Sequence, residues 1–156
     1  VATQPPLDRV QLVIFRLGET EFGVPVEQVR RIERLKPVTR VPRAPRFLEG
    51  VTNIQGEIVP VVDLKKRLAL SVGPYDDQAR LVVVNLGEQV VGMMVDAVRE
   101  ILWLPVNQIE PPPEMIAEIN GVYLTGVGRL GERLIILLSL AQVLTVQEVA
   151  ELSQVG

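Results

Sequence analysis

Neither cysteine nor histidine occurs among the 156 residues. Their absence removes zinc sites of the Cys/His kind, thiol nucleophiles, disulfides and every triad that needs an imidazole base. A cysteine-free chain fits a reducing cytoplasm. Aromatic residues are scarce at 4% against 47% hydrophobic residues overall, so the core has to be aliphatic, and its Val and Ile content favours strands. No apolar run approaches the ~20 residues that cross a bilayer, and the N-terminus has no basic segment followed by an apolar stretch and cleavage site. Glycines stand singly at turns, so no phosphate-binding loop is present. Ser71, Ser139 and Ser153 are the only serines, and none sits in a nucleophile elbow. These gaps read as a non-enzyme. A formal net charge of −3 carries no global nucleic-acid signature.

What the chain does contain is a near-copy of itself. The stretch from Leu12 to Ile32 recurs from Leu81 to Ile101, with Leu17-Gly18-Glu19 matching Leu86-Gly87-Glu88, Gly23 matching Gly92, and Val29-Arg30 matching Val98-Arg99. After a one-residue slip, Pro37-Val38 matches Pro105-Val106 and Pro45 matches Pro113; Gly50-Val51 and a run ending at Leu64 then match Gly126-Val127 and a run ending at Leu140. Two similar lobes follow, about 11–70 and 79–144, within one domain spanning 1–156. Half a chain is near the lower limit for a self-supporting core, so the lobes should share a buried interface.

Local signals predict strands at Gln11–Leu17 and Phe22–Val26 around a turn at Gly18 to Glu21, with the same turn at Gly87-Glu88-Gln89. Val26 and Val29 are spaced for a short helical turn leading into a strand, and Val95 to Ile101 predicts the same. Pro37, Pro42 and Pro45, then Pro105 and Pro111-Pro112-Pro113, exclude long helices and suit edges and corners. Asn53-Ile54-Gln55-Gly56 and Arg129 to Arg133 read as hairpin turns, and Leu134 to Leu138 as a fully buried strand. Many short strands with close turn signals favour small barrels. Residues before Leu7 read as a loose leader, Ser71 to Gln78 as the inter-lobe loop, and Thr145 to Glu148 as a capping box opening a C-terminal helix over about 145–153.

Several constellations invite chemistry. Glu57 with Asp63, or Asp96 with Glu100, could pair as general acid and base, although charged turns and surfaces supply such pairs more often. Asp76-Asp77 as an oxygen-ligand site for magnesium is weaker still. Basic residues crowd from Arg30 to Arg67, which leaves a nucleic-acid-binding barrel as an alternative; the aromatics Phe15, Phe22, Phe47, Tyr75, Trp103 and Tyr123 mostly lie in apolar runs rather than on stacking platforms. Trp103, in Ile101-Leu102-Trp103-Leu104, reads equally as core or as a partner contact.

The order of motifs resembles the bacterial chemotaxis coupling protein CheW family. It is carried by Leu17-Gly18-Glu19 with Phe22-Gly23-Val24, Val38-Thr39-Arg40-Val41, Phe47 to Asn53, Gly56 to Leu64, and Tyr123-Leu124-Thr125-Gly126, and it runs from about Gln11 to Leu144. The resemblance implies a mainly β fold of two pseudo-symmetric five-stranded SH3-like barrels packed on a shared hydrophobic centre. It also implies a non-catalytic, cofactor-free scaffold that couples chemoreceptors to the histidine kinase CheA in membrane-associated arrays. Its receptor-binding groove maps to Val29, Arg31, Ile32, Gln55, Gly56, Leu81, Gly92 and Ile101, and its kinase-binding surface to Val26 and Ile58; each position reads equally as core. The regulatory domain of the kinase has the same fold, so a regulatory or coupling domain of a larger chemosensory protein is a second alternative; the leader and short tail favour a free-standing chain. Where the family usually places a glutamate and an arginine as an ion pair, this chain has Arg31 and Gln55. That substitution predicts a more basic groove.

Overall fold

The computed structural model describes residues 8–70, 73–114, 118–119 and 122–140. The predicted leader, part of the inter-lobe loop and the C-terminal helix over 145–153 lie outside the described residues. The chain opens with the hairpin β1 (Arg9–Leu17) and β2 (Thr20–Pro25), turning at Gly18-Glu19, and a 3-10 turn at Val26–Gln28 then feeds β3 (Val29–Arg34). A second hairpin, β4 (Leu48–Ile54) and β5 (Glu57–Asp63), leads into a single helical turn, α1 (Leu64–Arg67). The repeat then begins again with β6 (Arg80–Leu86), β7 (Gln89–Val95) and β8 (Ala97–Pro105). Two short strands, β9 (Ile109–Glu110) and β10 (Glu118–Ile119), precede the last hairpin, β11 (Val122–Leu130) and β12 (Arg133–Leu138). Among the described residues no helix is long and apolar enough to cross a membrane.

Two sheets result, in the strand orders β10-β11-β12-β2-β1-β8, with β9 on β11, and β3-β6-β7-β5-β4. Each has five principal strands and closes in the same way. The chain beyond β3 bridges β4 at Thr39 and Val51, and the chain beyond β8 reaches β11 as β9. Gly50 makes the first closure possible: its φ is 148°, and a Cβ there would collide with the Thr39 carbonyl. At the repeat-related Gly126, Ile109 and the Glu110 carbonyl crowd the same spot.

The sheets divide the chain differently from the expected lobes at 11–70 and 79–144. The hairpin of the first repeat, β1-β2, pairs with β8 and β12 of the second. The hairpin of the second repeat, β6-β7, pairs with β3 and β5 of the first. One barrel is therefore contiguous, from β3 to β7, while the other joins the β1-β2 hairpin to β8 through β12. The repeats have exchanged hairpins, and because the copies are alike, own and exchanged partners satisfy the same apolar pattern.

Three apolar clusters fill this frame. Leu12, Ile14, Leu104, Ile135 and Leu137 pack inside one barrel, and Ile54, Val59, Val61, Leu81 and Val83 inside the other. The largest cluster lies between the barrels and includes Val13, Phe15, Phe22, Val82, Val84, Val91 and Met93. Alternation explains the division: along β1, Leu12 and Ile14 face their own barrel while Val13 and Phe15 face the shared centre. Phe15 and Phe22, cross-strand partners on the first hairpin, stack within it with ring centroids 5.9 Å apart. These are two SH3-like barrels on a common hydrophobic centre.

The local expectations hold at the turns and fail at two places. Val95 to Ile101 forms no helical turn; the chain bends at Asp96 and runs straight into β8. Leu134 is 57% exposed, so its strand is not fully buried. Trp103 is 46% exposed, which removes the core reading.

Asp96 stands where the chain crosses between barrels and is 8% exposed. Its carboxylate accepts from Lys65 Nζ at 2.8 Å and from the Gly18 backbone N–H at 2.7 Å, while its own N–H donates to the Arg16 carbonyl at 3.0 Å. Lys65 Nζ lies 4.2 Å from the centre of the Tyr75 ring. The Tyr75 hydroxyl donates to Asp63 Oδ1 at 2.8 Å, and Asp63 caps α1 through the Lys66 N–H. Burial, then the bond to Asp63, raises the Tyr75 pKa well above that of a free phenol. One polar network thus ties the first hairpin, α1 and the crossover together.

Candidate partner-binding surfaces

The β4-β5 hairpin turns on Gln55-Gly56, whose φ angles are 52° and 88°. Positive φ at both central residues is the type I′ pattern that matches strand twist. Asn53 Oδ1 accepts from the Gly56 N–H at 2.9 Å and steadies the turn. Both turn residues project into solvent beside β3, and a cleft of about 190 Å³ opens there between Arg30, Arg31, Gln55, Glu57 and Val83.

The expected site residues do not share one environment. Val29, Arg31 and Ile32 are half-buried on β3, Gln55 and Gly56 exposed at the turn, and Ile101 is exposed on the other barrel. Leu81 is 2% exposed inside the contiguous barrel. Gly92 is packed beneath it, where a Cβ would lie 2.9 Å from Leu81 Cγ. As placed, neither presents a side chain to a partner; the glycine admits the leucine into the barrel interior. Val26 is half-buried against the central cluster, whereas Ile58 is 54% exposed.

Arg31 and Gln55 line the same cleft without a hydrogen bond between them. Arg31 Nη1 instead lies 3.7 Å from Glu33 Oε2, which also faces Lys36, and Arg30 lies 3.6 Å from Glu57. Two acids thus offset much of the basic character that the sequence predicts. Arg31 Nη1 is nevertheless buried with no hydrogen-bond partner.

The basic run from Arg30 to Arg67 does not form a face. Lys65 and Arg67 are buried, Lys66 pairs with Glu49 at 2.6 Å, and Arg40, Arg43 and Arg46 lie exposed on the long connection between β3 and β4. The carboxylate pairs dissolve as well. Glu57 and Asp63 stand at opposite ends of β5, roughly 20 Å apart at strand rise. Asp96 is engaged with Lys65, and Glu100 accepts from Arg133 at 2.9 Å. Asp76 Oδ1 accepts from the Gln78 N–H, and among the described residues no three His, Cys, Asp or Glu side chains gather as a metal site.

Sequence reasoning missed a groove of about 470 Å³ lined by Arg9, Leu12, Pro25, Trp103, Ile109 and Leu137 among others. The Arg9 guanidinium carbon lies over the Trp103 ring, 5.1 Å from its centre. The unbroken apolar run around Trp103 was the available signal, because a strand that alternates cannot bury both faces at a barrel edge.

Known proteins share both the sequence pattern and this architecture. A family model described as CheW-like domain matches residues 11–148. The chemotaxis protein CheW of Klebsiella aerogenes is 39% identical over 94% of this chain and 88% of its own. A probable chemotaxis protein CheW of Rhizobium etli is 35% identical over 83% and 84%. The crystal structure of scaffolding protein TtCheW from Thermoanaerobacter tengcongensis superposes with a TM-score of 0.82 at 31% identity, covering 89% of this chain and 94% of that one. With a family model matching residues 11–148 and relatives that match over most of both chains, this chain belongs to the CheW-like domain family.

Proposed function

We propose that this protein is a non-catalytic chemotaxis scaffold that couples the cytoplasmic tips of chemoreceptors to a CheA-type histidine kinase. The observation that carries the reading is the likeness, in sequence and in fold and over most of the chain, to proteins named as chemotaxis CheW and as scaffolding. Exposed apolar side chains on both barrels, Ile58, Ile101 and Trp103, support it, because affinity in such contacts comes from apolar patches and partner choice from the charged rim. It works in the cytoplasm, beside receptor arrays and without a cofactor.

Receptor contact falls on Val29, Arg31, Ile32, Gln55, Gly56 and Ile101, with Leu81 and Gly92 shaping the barrel beneath them. Ile58 serves the kinase, and Val26 supports that surface from within. Arg31 Nη1, 3.7 Å from Glu33 and without a hydrogen bond, favours a partner that brings a closer acid to this spot. Exchanging the pair to Arg31→Glu with Gln55→Arg should then change affinity; an unchanged value sinks that part of the reading.

Calorimetric titration against the regulatory domain of the organism's own kinase, and against a receptor-tip fragment, tests the whole. Binding at about micromolar Kd that varies little with salt for the kinase domain is expected. Absence of binding to both would leave the fold standing and the function refuted.

A further inference from the structure

Duplication gives the two barrels equivalent ends, yet one end is filled and the other is open. In the contiguous barrel a recess of only about 40 Å³ remains between Leu35, Val61, Leu81 and Met94. The repeat-related positions in the barrel of β1, β2 and β8 to β12 are Trp103, Leu137, Leu12 and Pro25, and they border the groove of about 470 Å³. Side chains account for the difference. Leu35 and Met94 pack against the interior cluster that includes Val61 and Leu81, and so plug their barrel. Pro25 is too short to reach inwards as Met94 does. Trp103 lies opposite Gln11 on β8, whereas the neighbouring pair Leu12 and Leu102 faces the interior, so the indole is turned out where Leu35 is turned in. What remains is an apolar mouth lined by Val10, Leu12, Ile109 and Leu137, all of them members of the interior cluster or packed against it.

The rim of this mouth is charged. Arg9 forms no ion pair among the described residues and rests over the Trp103 ring instead. Because β1 runs between β2 and β8, Arg9 leans to the β8 side, while Glu27 stands past the end of β2 on the other. A guanidinium group and a carboxylate therefore border opposite sides of an apolar opening. Its volume falls within the range of about 300–1,000 Å³ found for small-molecule sites, which barrel mouths commonly supply.

We infer that the open end of this barrel binds a small amphiphilic carboxylate, its aliphatic tail among Leu12, Ile109 and Leu137 and its head group on Arg9. The site uses none of the positions assigned to receptor or kinase contact, so it stands or falls apart from the scaffold reading. The aliphatic lining suits an alkyl chain, whose transfer from water drives binding. The planar donors of a guanidinium group can hold both carboxylate oxygens, a stronger contact than an exposed cation–π pair, so Arg9 gains by turning from the ring to the head group. Glu27 repels an anion on the β2 side and fixes the head group at Arg9.

Trp103 is the only tryptophan in the chain, so its fluorescence reports occupancy. The probe is decanoate, titrated into the full chain below the concentration at which it forms micelles. A saturable change with a Kd of about 1 mM or tighter is expected. Butyrate, which keeps the head and loses most of the tail, and decyltrimethylammonium, which keeps the tail and reverses the head, should each bind at least about tenfold more weakly. Calorimetry then compares variants. Pro25→Met restores the plug of the other barrel and should cut decanoate affinity by about tenfold or more. Arg9→Gln should abolish the preference for decanoate over decanol and leave decanol binding as it was. A response that does not saturate, equal affinity for decanoate and decyltrimethylammonium, or folded variants that bind as the parent does would overturn the inference. Should Pro25→Met fail to fold, methyl NMR of the parent decides: decanoate shifts centred on Leu12, Ile109 and Leu137 uphold the site, and shifts centred elsewhere overturn it.

Discussion

Replacing Asp96 by alanine should be among the most damaging single changes available in this chain. The Lys65 side chain is 4% exposed and that of Asp96 11%, so deleting the carboxylate strands a buried ammonium group. Breaking a buried pair from one side costs about 3–5 kcal/mol. The Gly18 N–H loses its acceptor in the same step. For a domain of this length, such a loss lowers the melting temperature by about 6–20 °C. Lys65→Met together with Asp96→Asn should recover much of it, because the unpaired charge is gone and the amide still accepts from Gly18. Urea unfolding of the parent, both single variants and the double variant measures the coupling, provided the m-value stays constant. A single variant within about 1 kcal/mol of the parent would mean that water or another donor reaches Lys65. Additive losses in the double variant would mean that the two groups do not act as a pair. Either result refutes the picture of one latch across the barrels.

Gly50→Ala should cost of the order of 3 kcal/mol, since its φ of 148° and the Thr39 carbonyl leave no place for a Cβ; differential scanning calorimetry reads the shift. Trp103→Ala should change stability by less than about 1 kcal/mol while weakening kinase or receptor binding, because the ring is 46% exposed; unchanged affinity for both would remove it from the interface. Tyr75 should resist ionisation beyond the range of an ordinary phenol, visible as one late step in the ultraviolet titration of the two tyrosines. Its folded pKa lies above its unfolded one, so its contribution is complete below about pH 10 and is lost as pH rises further. Tyr75→Phe should flatten that alkaline loss.

Much of the fold is legible because turns are local. Gly18-Glu19, Gly87-Glu88, Gln55-Gly56 and Gly131-Glu132 each mark a hairpin from their own residue types, and the apolar strands follow between them. Which hairpin joins which barrel is not legible, since duplicated strands offer two equivalent sets of partners. The charged residues mislead for a related reason. The run from Arg30 to Arg67 looks like one basic face, yet strand alternation and the turn of α1 send its members in different directions. Lys65 finds its carboxylate 31 residues away. Of the expected groove, Gln55, Gly56 and Ile101 reach the surface, whereas Leu81 and Gly92 fit each other inside a barrel. An apolar residue type alone does not separate contact from core. The Arg31 and Gln55 substitution was visible in the sequence, but its neighbours Glu33 and Glu57, which rebalance it, matter only once β3 lies beside the turn.

The exchanged hairpins also set the order in which the molecule can be made. During synthesis the β1-β2 hairpin emerges before every other strand of its barrel, but Gly23 meets its partner Leu137 only more than a hundred residues later. At typical elongation rates that is a wait of roughly 6–20 seconds. The barrel from β3 to β7 is complete well before then, so the nascent chain carries one finished barrel and one orphaned hairpin with its apolar edges uncovered. Long-range closure of this kind slows folding and invites capture by chaperones or by a neighbouring nascent chain. The duplication that simplified the architecture has made its birth the most vulnerable moment of the protein.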